Sequence, residues 1–212
     1  AELARWRKLA SPERVAAALR IASTRRRGAA KFSRAGEMWL DAVGLEQATA
    51  EVVARHKARR FQVPLVADLC SGIGGDAIAI AGRSHVLAVD ADRAMCRRLA
   101  WNAGVYGVGD RILACRAKAE QILLPPDAWV HIDPDRRAKN ETRARGVGDY
   151  EPGLPFLLSL VRQAPGGAIK LGPASDFAAQ FADPRFEIEL ISLQGECKEA
   201  TVWFGAAATC RR

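Results

Sequence analysis

No stretch of this 212-residue chain approaches the ~20 consecutive apolar residues that cross a bilayer, so a membrane protein is not expected. The N-terminus lacks an apolar leader. Glu2, Arg5, Arg7 and Lys8 come early, which points to a cytoplasmic rather than a secreted location. No two cysteines form a C-x-x-C pair. Cys70, Cys96, Cys115, Cys197 and Cys210 are scattered and odd in number, which argues against a zinc site and a disulfide framework. Reduced, partly buried thiols are the expectation. Acidic residues are scarce in one place only. Residues 1–60 hold 14 Lys/Arg against 6 Asp/Glu, while 61–212 hold 18 of each, so the whole excess of +8 lies upstream. Such a block suits an anionic partner, nucleic acid first. Its alternative is a solvated helical face.

Apolar residues are plentiful. At 49% of the chain they can bury a core, which excludes global disorder. The length suits one α/β domain with an appendage. In the upstream part, Ser11-Pro12-Glu13 opens a helix that Arg25-Arg26-Arg27-Gly28 ends. A second helix is expected over 49–60. Residues 1–60 thus read as a basic helical segment and 61–212 as the core. From Val63 onward, strands at 65–69, 85–90, 111–115, 128–132 and 167–171 alternate with helices at 75–82, 92–104, 118–123, 154–163 and 175–182. Strands at 186–193 and 198–204 flank Gln194-Gly195-Glu196 as an antiparallel hairpin. Five βα units and a hairpin make a seven-stranded, mostly parallel sheet with helices on both faces.

The densest information lies in Asp68-Leu69-Cys70-Ser71-Gly72-Ile73-Gly74-Gly75-Asp76, where a strand ends on an acid and turns through glycines into a helix. A second strand then ends on Asp90. That layout holds an adenosyl cofactor at a sheet edge. Three readings compete. Gly72 to Ala77 matches G-x-G-x-x-A, the dinucleotide pattern. Asp68 is badly placed for a pyrophosphate and suits a cationic amine, as in S-adenosylmethionine, with Asp90 accepting from ribose hydroxyls. The third reading is a tight turn without a ligand. Farther on, Asp133-Pro134-Asp135-Arg136-Arg137 ends another strand at the same sheet edge. His131, inside that strand, reads as a core histidine before a catalytic base.

Residues 65–90 and the seven-strand pattern resemble the class I S-adenosylmethionine-dependent methyltransferases, which have a Rossmann-like sheet. The resemblance implies that Asp68 and the turn bearing Cys70, Gly72, Gly74 and Asp76 hold the methionine part. It also implies that Asp90, with Ala91, meets the ribose. Cys70 stands where that family often has glycine. Lys118 stands where it often has an adenine-binding Asp, which leaves Ala119 and Glu120, or the backbone alone, for the adenine. Asp133-Pro134 is similar to the first half of the [Asn/Asp]-Pro-Pro-aromatic motif of amino-group methyltransferases. This implies that Asp133 and Pro134 are catalytic, with Asp133 also beside the cofactor. The aromatic half is missing. Asp135, Arg136, Arg137 and Lys170 are then the candidate substrate contacts, by stacking or phosphate binding.

Leu45-Glu46-Gln47-Ala48-Thr49-Ala50-Glu51 looks like the trimethylguanosine synthase group, the RNA cap guanine-N2 methyltransferases, in which a Thr-x-Glu helix start packs against the cofactor. This implicates Thr49. The chain resembles more closely a set of bacterial methyltransferases that pair Leu-Glu-Gln-Ala-[Ser/Thr] with Ile-Asp-Pro-x-Arg-Arg. Many of these carry a C-terminal domain resembling THUMP, an RNA-binding module. A bacterial cell offers no trimethylguanosine cap, so the implied acceptor is an exocyclic base amine of rRNA or tRNA, guanine N2 first. No metal is implied. A non-catalytic RNA-binding module that retains the fold stays open, as does a methyltransferase for a small molecule or a protein.

Overall fold

The computed structural model of the chain describes residues 2–136 and 150–210. The apolar runs Leu65–Leu69 and His85–Asp90 form β1 and β2, followed by β3 (Ile112–Arg116) and β4 (Trp129–Ile132). A two-residue pair, β5 (Asp135–Arg136) and β6 (Tyr150–Glu151), precedes β7 (Gly166–Leu171), β8 (Glu187–Leu193) and β9 (Glu196–Gly205). The large sheet has the order β3-β2-β1-β4-β7-β9-β8, and β5 pairs with β6 apart from it. Pairing is parallel from β3 to β7 and antiparallel at β7/β9 and β8/β9. The expected seven strands and terminal hairpin are therefore present. Gln194 and Gly195 close the hairpin with φ of 55° and 80°, the left-handed pair that a tight two-residue turn uses.

The helices are α1 (Glu2–Leu9), α2 (Pro12–Gly28), α3 (Ala42–Gln47), α4 (Glu51–Ala58), α5 (Gly75–Ala81), α6 (Arg93–Val105), α7 (Leu154–Gln163) and α8 (Phe177–Gln180). No helix among the described residues is long and apolar enough to cross a membrane. Two expectations shrink: 118–123 is a single 3-10 turn at Ala119–Gln121, and 175–182 is the four-residue α8. No helix was expected over α3, which contains Gly44. The fold needs that glycine, since a Cβ there would lie 2.5 Å from Ile73 Cγ2.

The two faces of the sheet alternate along each strand. Ala67, Leu69, Val130, Ile132, Ile169 and Phe204 pack with Leu157 and Leu160 of α7. Val66, Val86, Ala88, Ala168 and Trp203 pack with Phe61, Ile80 of α5 and Leu99 of α6. From residue 31 the upstream segment is packed into this body: Phe32, Met38, Leu40 and Leu45 surround Ile73 of the glycine turn. The strand order reverses between β1 and β4, and crevices at such reversals lie beyond the carboxyl ends of parallel strands. The β4/β7 pairing places Gly167 against Val130, where a Cβ would lie 2.1 Å from the Val130 carbonyl oxygen. Gly167→Ala is therefore expected to force β7 off β4 and to lower the unfolding free energy by about 2 kcal/mol or more. Urea denaturation of both proteins measures this.

Candidate active site

A cleft of about 740 Å³ opens at this strand-order reversal. Its floor is set by register. Because β1 and β4 are parallel with Asp68 opposite His131, both side chains point to the same face. His131 Nδ1 and Asp68 Oδ1 lie 2.6 Å apart, and both residues are buried. Asp68 Oδ2 is buried and has no hydrogen-bond partner among the described residues. Beneath it, Lys57 of α4 is 1% exposed. Its Nζ lies 2.9 Å from Asp76 Oδ1 and 2.8 Å from Glu199 Oε1. Thr49 donates from Oγ1 to Asp76 Oδ2 at 2.6 Å.

These contacts decide the charges. Burial opposes the Lys57 ammonium, but Asp76 and Glu199 outweigh it and raise its pKa. Burial also opposes the Asp76 carboxylate, yet Lys57 and His131 hold its pKa well below the usual range. The His131 imidazole is pushed the same way as Lys57: burial works against its cation, and Asp76 and Asp68 prevail. Asp68 differs, because burial raises its pKa despite His131.

The glycine turn divides the labour among its residues. Gly72 has φ 53°, and a Cβ there would meet nothing within 4 Å, so it borders open cleft. Gly74 has φ 94° and does not line the cleft; a Cβ on it would press on Leu99 at 3.0 Å. It is the N-cap of α5 and makes the turn into that helix. Cys70 has φ 59°, which explains why glycine would suit that position. Burial raises the Cys70 thiol pKa, so it stays protonated. Asp90 accepts from Gly72 N and Asp92 N, both at 2.8 Å, which fixes its carboxylate at the cleft edge. Ala91, Ala119 and Glu120 line the same edge.

Across the cleft, Asp133 N donates to Leu69 O at 3.2 Å, which holds the end of β4 against β1. Asp133, Pro134 and Asp135 all line the cleft. Lys170, a candidate substrate contact, lines the cleft, and its Nζ is ion-paired with Asp133 Oδ2. Burial opposes that ammonium, and Asp133 more than offsets it. Arg136 lies in β5, and Arg137 lies outside the described residues.

Sequence reasoning missed Tyr150, which lines the cleft although it is far along the chain from Pro134. The β5/β6 pairing sets it opposite Arg136. Its hydroxyl lies 2.6 Å from Ser175 Oγ and accepts from Gly172 N at 2.7 Å. Lys57 was also missed, although its spacing from Val53, Ala54 and Ala58 puts it on the buried face of α4.

Residues 63–144 match the family described as RNA cap guanine-N2 methyltransferase. An uncharacterised S-adenosylmethionine-dependent methyltransferase of Mycobacterium tuberculosis is 36% identical over 168 residues, 77% of this chain. This chain carries a class I S-adenosylmethionine-dependent methyltransferase domain. It spans about 45% of the length of that mycobacterial relative. The methyltransferase fold also appears in a structure from Porphyromonas gingivalis whose own methyltransferase assignment is provisional. The TM-score is 0.78 at 20% identity, over 98% of this chain and 58% of that one. An RNA methyltransferase from Salinibacter ruber, solved with S-adenosyl-L-homocysteine, aligns with TM-score 0.52 at 15% identity, over 74% of this chain and 91% of that one.

The charge cluster of the methyltransferase domain has a testable pH signature. Lys57→Met leaves Asp76 and Glu199 buried without their cation, which should cost about 3–5 kcal/mol near neutral pH. Asp76 has a depressed folded pKa in the wild type. Its stabilisation is therefore present above the unfolded value and lost as pH falls through the folded one. In the variant that depression is gone, and a protonated Asp76 no longer needs Lys57. The gap between the two proteins should be widest near neutral pH and should narrow toward about pH 4, read by urea denaturation across the range.

Proposed function

We propose that this domain transfers a methyl group from S-adenosylmethionine to an exocyclic base amine of RNA, guanine N2 in rRNA or tRNA. One observation carries the reading. A buried carboxylate oxygen without a partner among the described residues, Asp68 Oδ2, lies one strand away from a largely buried carboxylate paired with a lysine, Asp133 with Lys170. The first suits a cationic amine of the cofactor. The second suits an acceptor base.

Asp68 would hold the methionine amine, with Gly72 giving the backbone room to approach. Thr49 and Asp76 support the turn from below, and Asp90 and Ala91 would meet the ribose, with Ala119 and Glu120 beside the adenine. Bound there, S-adenosylmethionine supplies an electrophilic methyl group. Asp133 accepts N–H from the acceptor amine and aims its lone pair, so its contribution is orientation. Its carboxylate also offers a place for the proton that the amine sheds. Pro134 stiffens the chain after Asp133.

The Asp133–Lys170 pair favours guanine. Guanine presents N1–H and N2–H side by side, which one carboxylate can accept together, and O6 beyond them, which an ammonium can meet. Adenine puts an unprotonated ring nitrogen beside its amine, which would face the carboxylate. The likeness of residues 63–144 to guanine-N2 methyltransferases points the same way. RNA as the acceptor is further supported by the basic upstream segment.

Two variants separate donor from acceptor. Asp68→Ala is expected to lose at least about tenfold in S-adenosylmethionine affinity by calorimetry; an unchanged affinity would remove Asp68 from the site. Asp133→Ala is expected to keep that affinity and to lose about a hundredfold or more in methyl transfer to total RNA, read as N2-methylguanosine by nucleoside mass spectrometry. Label in a different nucleoside would reassign the acceptor base, and no label in RNA would reject RNA as the substrate.

A further inference from the structure

Helix α6 starts at the cleft. Asp92, its N-cap, lines the cleft together with Met95. Arg93, Arg97 and Trp101 are all exposed, and their i, i+4, i+8 spacing places them on one ridge. At 1.5 Å per residue the ridge runs about 12 Å outward from the cleft edge. Among the described residues neither Arg93 nor Arg97 has a hydrogen-bond or ion-pair partner, while Asp92 is spent on the Ala94 N–H at 2.7 Å. The ridge therefore presents two uncommitted guanidinium groups.

Trp101 at its end is 56% exposed yet held in place. Its indole N–H donates to Glu37 O at 3.1 Å. Trp39 packs edge-on against it, with ring centroids 6.4 Å apart and planes at 83°. Arg98 lies over Trp39 at 6.0 Å and pairs with Asp41 at 3.3 Å, which fixes that second ring in turn. A large apolar ring held rigid in water loses little entropy when something stacks on it. Rigid aromatic faces beside cations are how proteins grip unpaired bases together with their phosphates.

We propose that the Arg93–Arg97–Trp101 ridge is a docking track for single-stranded RNA adjoining the acceptor nucleotide, with the arginines on phosphates and an unpaired base stacked on Trp101. This rests on the reading of RNA as the acceptor. Charge complementarity selects the occupant: a nucleic-acid strand brings a phosphate for each arginine and a base for the ring at regular spacing, whereas a protein partner would need acids placed to match both arginines.

Binding of a short fluorescein-labelled single-stranded RNA of mixed sequence, by anisotropy over a salt series with the full chain, tests the track. Trp101→Ala should weaken binding about tenfold, and Trp101→Phe should restore most of the loss. Arg93→Ala with Arg97→Ala should flatten the slope of log affinity against log salt by about 0.7 per arginine. The same RNA annealed to its complement should bind without dependence on Trp101. Calorimetric affinity for S-adenosyl-L-homocysteine should not change in any of these variants, since none of the three side chains belongs to the cofactor site. RNA binding that is lost on deleting residues 1–30 but unmoved by the ridge variants would overturn the track and leave the RNA reading standing. No RNA binding by the wild type at low salt would overturn both. Self-association that depends on Trp101, with RNA affinity unmoved, would assign the face to a protein contact instead.

Discussion

Lys57 carries its charge at the centre of the molecule, between Asp76 of the glycine turn and Glu199 of β9, with the Nε2 of His131 3.5 Å away. At an effective dielectric constant of about 20, contacts near 3 Å are worth roughly 5–6 kcal/mol gross. Desolvating each ion costs several kcal/mol, so the net gain is small. What the lysine does is permit the arrangement. Asp68, Asp76 and Glu199 converge from β1, α5 and β9, and a buried cluster of three carboxylates needs a cation among its members. Lys57 supplies it, and with it the Asp76 pKa is held down. His131 then serves Asp68, whose second oxygen is buried and has no partner among the described residues. The same side chain ties α4 to the sheet, so the upstream segment and the site share one support.

The glycine turn above this cluster shows how a short motif mixes roles. Its positive-φ residues are Cys70, Gly72 and Gly74, yet only Gly72 combines that conformation with open space toward the cleft. Gly74 serves packing against Leu99 and Ile78. Gly75 has an ordinary φ and lies against the Thr49 backbone, where a Cβ would come within 2.9 Å of the carbonyl oxygen. Gly72 thus faces open cleft, Gly74 makes the turn, and Gly75, which also lines the cleft, lets α5 meet the segment bearing Thr49.

Much of this was legible in the sequence wherever a local rule governed the outcome. β1 and β2 are apolar runs bounded by an acid and a glycine turn, and both have the bounds expected of them. The terminal hairpin was marked by Gln194-Gly195. The acids at the ends of β1, β2 and β4 were legible because parallel strands deliver their carboxyl ends to one edge. Nonlocal pairings were not. Lys170 reaches Asp133 only because β7 lies next to β4, and the strand pattern does not state that order. Tyr150 reaches the cleft through the two-residue β5/β6 pairing, which is too short to have a periodicity. α3 was not expected at all, and its Gly44 is required by close packing on Ile73. Lys57 could have been found: a lysine on the apolar stripe of a helix implies a buried partner.

Charge is segregated between the cleft and the surface around it, and this limits how a nucleic acid could approach. Among the described cleft-lining residues, Asp and Glu outnumber Lys by eight to three, although the chain as a whole is basic. A cofactor with a cationic amine and a sulfonium gains from such a cleft, and a phosphate is repelled by it. A bound RNA strand would therefore keep its backbone outside, on the arginines, and send only an uncharged base inward to Asp133 and Lys170. A base within a duplex cannot do this without leaving its partner, which costs a few kcal/mol, less where the base is already unpaired. On an RNA acceptor, the acidity that suits the cofactor would thus also select for a base that is single-stranded or flipped out, and no residue need recognise the RNA sequence for that selection to operate.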